Sequence, residues 1–244
     1  MATGTSAHTV SLIKREEVAE SAMAFHFAKP ADFQFRARQS IDMTLLNPPE
    51  TDAEGNTRTF TLASAPFKSD LMIATRMRDT AFKRVLRKAA MRLEVKIEGP
   101  SGSFTLHRKA EKPAAFLAGG IGITPFLSII RQASYEKAPH QLYLFDSNRR
   151  PEDAPFLELL SGTAKQNLNF HLVATMTEVD KSHRECGGET GFISKEMLTR
   201  YLSTLQGPIY YMAGPPAMVA AMRCMLTEAA VDEDDIRTEE FSGY

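Results

Sequence analysis

The chain has 244 residues, 43% of them hydrophobic, and a formal net charge of -1. That length holds one large domain or two small ones, and the hydrophobic share is enough to fill real cores. A near-neutral charge offers no electrostatic case for nucleic acid, and no apolar run approaches the ~20 residues of a membrane span.

Residues 8 to about 107 read mostly as strands. His8–Lys14, Met23–Lys29, Ile41–Leu46, Arg58–Leu62, Leu71–Arg76 and Leu93–Glu98 are short, rich in β-formers and separated by turn residues. Ala24-Phe25-His26-Phe27 and Phe33-Gln34-Phe35 alternate as half-buried strands do. Such a series predicts an antiparallel barrel or sandwich. The polar run from Asn47 to Asn56 reads as a loop. A helix is expected from Thr80 to about Ala90, with Thr80 as its cap.

After the charged connector Arg108–Lys112 the rhythm changes, so the boundary between the two domains, 1–108 and 109–244, is placed there. Strand candidates Ala114–Ala118, Gln141–Asp146, Phe170–Thr175, Ile209–Ala213 and Ile236–Phe241 alternate with helical patterns at Pro125–Lys137, Pro155–Lys165, Ser194–Leu205 and Pro215–Ala230. Strict alternation predicts a parallel sheet with right-handed crossovers, with ligands at the carboxyl ends of the strands. In the first helix Phe126, Ile129, Ile130 and Ala133 share one face.

Ala118-Gly119-Gly120-Ile121-Gly122-Ile123-Thr124-Pro125 joins the first of these strands to its helix. Three glycines allow a sharp turn and close approach to a ligand. Thr124 reads as a helix cap, Pro125 suits the first turn, and the free N–H groups there suit a phosphate.

The cysteines, Cys186 and Cys224, have no paired spacing. That argues against a disulfide scaffold, a zinc site or a four-cysteine iron–sulfur cluster, and fits a cytoplasmic protein. Cys224 lies in an apolar helical stretch and reads as core filler; Cys186, near His183, reads as a surface thiol. Met1 to Val10 lacks the basic and apolar regions of a signal peptide.

Four motifs line up in order: Arg58-Thr59-Phe60-Thr61, Glu98-Gly99-Pro100-Ser101-Gly102-Ser103-Phe104, the glycine turn at 118–125, and Ala213-Gly214-Pro215-Pro216-Ala217-Met218-Val219. Together they resemble the ferredoxin–NADP reductase family in its broad sense, which includes oxygenase reductases and the reductase half of flavohaemoglobins. The resemblance covers almost the whole chain. It implies a flavin-binding antiparallel β-barrel followed by an α/β parallel-sheet domain that binds NAD(P)H, with the reactive rings meeting between them.

By this resemblance Arg58 pairs with a flavin phosphate, for which its planar fork is suited. Phe60, where the family has Tyr, stacks on the flavin without a hydroxyl. Thr61 donates near the atom that receives hydride. Arg76-Met77-Arg78 with Thr80 forms a second flavin segment. It lacks the glycine common there, which leaves FMN as an alternative to FAD. Gly99 to Phe104 is more simply a structural turn at the junction. Gly120, Gly122 and Thr124 face the coenzyme pyrophosphate, Gly214 and Pro215 border the nicotinamide, and Met218 is a further cofactor-binding candidate. Ala213 stands where many relatives carry Cys. Glu239 and Phe241 fit the family's C-terminal Glu and aromatic ring against the flavin, with terminal Tyr244 as the weaker candidate.

Coenzyme choice stays open. Ser147 and Arg149 follow the second parallel strand, where an Arg could take a 2′-phosphate. Asp146 would repel one if it pointed in. The plant-type phosphate pocket is absent, since its places read Thr175-Met176 and Phe192.

The expected activity is a flavin-dependent NAD(P)H oxidoreductase that passes electrons to a separate acceptor, such as ferredoxin, flavodoxin or an oxygenase component. The alternatives are a reductase of free flavin and a non-catalytic nucleotide-binding subunit of a complex.

Overall fold

The structure is a computed structural model and describes residues 6–240. Its first half contains β1 (Ser6–Ala19), β2 (Ala22–Ala28), β3 (Ser40–Leu45), β4 (Thr57–Thr61), β5 (Asp70–Arg76), α1 (Ala81–Lys88) and β6 (Glu94–Ser101). The strands form one six-stranded antiparallel sheet in the order β4-β3-β6-β1-β2-β5. Its edge strands curl toward each other, and just past β4 the Ala63 N–H donates to the Met72 carbonyl of β5 at 2.8 Å. The inside is filled by Phe25, Phe27, Ile41, Met43, Ile73, Val95 and Ile97, and α1 plugs it with Phe82, Val85 and Leu86. Thr80 caps α1 as expected, its side chain accepting from the Lys83 N–H.

Phe33-Gln34-Phe35 is not a strand. Both rings are buried and Gln34 is exposed, but the backbone runs between two turns. Alternation recorded which side faces the core, and no partner strand lies there to make a ladder.

The second half contains β7 (Ala114–Gly119), a 3-10 turn (Gly120–Gly122), α2 (Ile123–Tyr135), β8 (Leu142–Asn148), α3 (Leu157–Gln166), β9 (Phe170–Met176), β10 (Glu189–Thr190), α4 (Lys195–Tyr201), β11 (Ile209–Gly214), α5 (Pro216–Glu228) and β12 (Ile236–Glu240). All six strands are parallel, in the order β10-β9-β8-β7-β11-β12. Every residue of β7 and β11 is buried, as expected of central parallel strands covered on both faces. The short β10 falls in a segment whose sequence reads as loop.

Two expectations change here. Residues 123–130 of α2 are all buried, not one stripe of them. The helix lies between the parallel sheet and the back of the antiparallel one. There Ala22, Ala24, Ala63, Met72 and Ala74 join the core of Phe116, Phe126 and Ile130. Small side chains on β2 and β5 let the helix approach, so the two halves share a core. Ser128 ties them further, accepting from the Arg38 N–H at 3.0 Å and donating to the Ser64 carbonyl at 2.7 Å.

Cys224 is exposed, not core filler. The buried face of α5 runs through Val219, Met222 and Leu226, and Cys224 lies off it. Cys186 is a half-buried free thiol.

Candidate functional site

Two clefts open where the halves meet. The first, of about 480 Å³, lies mainly against the antiparallel sheet and α1. β4 supplies Arg58, Phe60 and Thr61, β5 supplies Thr75 and Arg76, and Arg78, Thr80 and Lys83 come from the start of α1. The Phe60 ring packs against Phe82 at 5.7 Å. The Thr61 hydroxyl has no hydrogen-bond partner among the described residues and lines the cleft.

The electrostatics of this cleft call for an anion. Arg58 is held by Asp52 at 3.2 Å and Glu54 at 2.8 Å, which aims it along the loop. Asp52 also accepts from the Ala81 N–H at 2.9 Å, tying the loop to the start of α1. The Lys83 ammonium is held below its ordinary range, first by burial and then by repulsion from Arg78 and Arg58.

The second cleft, of about 750 Å³, runs along the carboxyl ends of the parallel strands. Gly119 and Gly120 come from β7 and the turn after it, Ser147, Asn148 and Arg149 from β8 and its end, and Thr177 from just after β9. Pro215, Met218 and Met222 come from the end of β11 and from α5, and Arg76 and Arg78 reach in from the other half. Among the described residues no Asp or Glu lines it.

The glycine turn works through steric absence. A Cβ on Gly122 would lie 2.2 Å from the Ala213 carbonyl oxygen. Its φ of -60° suits any residue, so space alone demands glycine. Gly214 meets Gly119 in the same way, with a Cβ 3.2 Å from the Gly119 backbone. Gly120 has φ +55° and lies under Arg76. The ends of β7 and β11 interlock through missing side chains, and Gly119 and Gly120 form part of the cleft wall.

Several assigned roles are corrected. Gly122 and Gly214 line neither cleft; they let the strand ends meet. Thr124 is not the helix cap: α2 starts from Gly122, and the Thr124 hydroxyl donates back to the Ile121 carbonyl at 3.1 Å. Thr124 borders the first cleft, not the second. Met77 packs against the barrel core. Glu239 lines neither cleft but pairs with Arg38, whose Nε donates to it at 3.1 Å. Phe241 and Tyr244 lie outside the described residues.

Asp146 does not point into the nucleotide cleft. It is wholly buried in β8, and burial pushes its carboxyl up to about 7, against a smaller pull from Asn148. Arg150 is occupied by Glu20 at 2.6 Å and Asp153 at 2.8 Å. Arg149 lines the cleft instead.

Sequence reasoning missed Lys83 and Thr177 as cleft residues, and Phe192, 79% exposed, beside the second cleft. A basic helix offers no signal that one lysine turns inward. Arg38 sits at φ +80°, buried, with its guanidinium 4.0 Å from the Phe104 ring centre.

An antiparallel curled sheet with a plug helix, followed by a parallel sheet with a glycine turn at the junction, is the fold also found in solved reductases of the ferredoxin–NADP type. Residues 116–224 match the oxidoreductase NAD-binding domain. Among solved structures the chain is similar to a ferredoxin NADP+ reductase from Neisseria gonorrhoeae with bound FAD and NADP. The TM-score is 0.76 at 18% identity, covering 96% of this chain and 98% of that one.

Among curated proteins it is similar to the electron transfer component of anthranilate 1,2-dioxygenase of Acinetobacter baylyi. That match is 29% identical over 147 residues, covering 59% of this chain and 41% of that protein. It is also similar to the reductase component of propane 2-monooxygenase of Mycolicibacterium smegmatis, 25% identical over 221 residues, covering 88% of this chain and 61% of that protein. The chain therefore spans between about two fifths and three fifths of the length of these relatives. No helix among the described residues is long and apolar enough to cross a membrane. No group of three or more metal-ligating side chains occurs among them.

Proposed function

We propose that the protein is a flavin-dependent NAD(P)H oxidoreductase that hands electrons to a separate acceptor. The observation that carries this reading is the pair of adjoining clefts, one cationic and built on the antiparallel sheet, one glycine-cradled and built on the parallel sheet, with Arg76 and Arg78 lining both. Residues 1–108 form the flavin domain and 109–244 the coenzyme domain. The free thiols support a cytoplasmic place of action.

The residues present fit the groups. Arg58, Lys83 and the Thr80-capped start of α1 suit a flavin phosphate, and Phe60 offers a half-buried apolar face to the ring. Thr61 presents a free hydroxyl where the ring edge would lie. The backbone of Gly119–Gly120 suits the coenzyme diphosphate, Pro215 and Met218 wall the nicotinamide end, and Ser147, Arg149 and Thr177 line the adenosine end. FAD is favoured over FMN because the first cleft continues past Arg58 toward Glu54 and α1. A bound flavin supplies hydride acceptance from the nicotinamide and release of the electrons to a second carrier. The chain's own part is to hold donor and acceptor in line and to keep water from between them. Its reductase-component relative supports a protein acceptor, such as ferredoxin, flavodoxin or an oxygenase component.

The test is anaerobic titration of FAD-reconstituted protein with NADH and with NADPH. Bleaching of the flavin by either supports the reading. A protein that takes up no flavin, or holds flavin that neither coenzyme bleaches, overturns it. Rapid turnover of added flavin without retention would instead mark a free-flavin reductase.

A further inference from the structure

The arginines of the junction fall into two sets. Arg58, Arg84, Arg38 and Arg150 each have carboxylate partners. The guanidinium groups of Arg76 and Arg78 have none among the described residues. Both nevertheless line the second cleft, whose other lining residues come from the opposite half of the chain.

Arg76 is also placed directly on the glycine turn. A Cβ on Gly120 would lie 3.1 Å from its Nη2 and 3.7 Å from its Cζ. Gly120 therefore serves Arg76 as well as the turn. It is in the left-handed region, and a side chain there would push the guanidinium off the strand end. The Gly119–Gly120 turn offers backbone donors to a diphosphate, and a fork-shaped cation beside it matches the same group. Among the described residues no carboxylate lines the cleft to compete for that cation.

We propose that Arg76, although carried by the flavin-side strand β5, is a binding residue for the diphosphate of the visiting NAD(P)H. The flavin phosphate is left to Arg58, Arg78, Lys83 and the start of α1. The coenzyme site is thus completed from both halves, and the shared core around α2 fixes the distance between them. This inference rests on the reading that the second cleft takes NAD(P)H.

The experiment measures dissociation constants of NAD+ and NADP+ for flavin-loaded wild-type protein, R76Q and R58Q, with the retained flavin quantified by absorbance. R76Q is expected to weaken the better-bound coenzyme about tenfold or more while keeping its flavin, since a charge-assisted pair is lost. R58Q is expected to lose flavin instead. The coenzyme constant of R76Q should also respond less to salt than that of wild type, because one cation fewer is screened.

An R76Q protein that binds coenzyme as wild type does, or sheds flavin with its coenzyme constant unchanged, overturns the proposal. If R76Q loses both ligands, NAD+ and NADP+ binding to flavin-free wild type and flavin-free R76Q decides: equal constants overturn it, and a weaker one for R76Q supports it. Wild type that binds neither coenzyme, with or without flavin, would refute the underlying functional reading, and this inference with it.

Discussion

The two clefts reach the same end, an anion site at a junction, by opposite means. The first uses side chains: Arg58 braced by Asp52 and Glu54, Lys83 crowded by Arg78, and a Thr cap on α1. The second uses their absence. Gly119, Gly122 and Gly214 allow β7 and β11 to end in contact, and the Gly119–Gly120 turn forms part of the cleft wall. A site made of side chains loses function by degrees. A site made of missing ones fails sharply, because the first added atom has nowhere to go.

Gly122→Ala tests the sharp case and carries the largest expected effect. Its Cβ would meet a carbonyl of a central buried strand, which cannot yield cheaply. The expected destabilisation is about 3 kcal/mol or more, read by thermal or urea unfolding. An alanine variant as stable as wild type would show that the strand ends are looser than the geometry states.

Asp146 lies just beneath the second cleft and extends the comparison to pH. Its folded carboxyl is raised to about 7 from 3.8, so it resists ionisation that the unfolded chain accepts. Its unfavourable contribution is absent below 3.8, grows as pH rises, and is complete above about 7. Asp146→Asn should therefore stabilise the protein at neutral pH by on the order of a few kcal/mol. The gain should vanish in acid. A gain independent of pH would point to packing instead of ionisation.

The graded case is Arg58→Gln. Loss of one charge-assisted contact to a phosphate should weaken flavin retention by about tenfold to a hundredfold. Coenzyme binding at the other cleft should stay near wild type. Equilibrium dialysis of FAD measures the first and titration with NAD+ or NADP+ the second; coupled losses would mean the clefts are not separable.

Cys224→Ser sets the lower end. The thiol is exposed on α5, so the change should alter stability by less than about 0.5 kcal/mol. A loss of several degrees in Tm would restore the thiol to the core.

Much of the first cleft was legible in the chain. Arg58-Thr59-Phe60-Thr61 and Thr80 are local signals, and their structural places follow from strand alternation and a cap. The interior of α2 was not. Its helical period shows one apolar face, and only the alanines of β2 and β5, distant in sequence, explain why the other face is buried too. Gly122 and Gly214 were visible as glycines, but a glycine required for a ligand and a glycine required for a neighbouring strand read alike. Glu239 reads as a site residue by its position in the family pattern, and nothing local shows that Arg38, 201 positions away, pairs with it.

The sequence by itself determined the elements, their two rhythms and the order of the motifs, because hydrophobic period, caps and turn residues act over a few positions. Only the tertiary structure decided which cations stay unpaired, which glycines hold strand ends together and which residues serve both clefts. Those properties depend on groups brought together from opposite halves of the chain, and charge pairing and steric fit are settled only at contact.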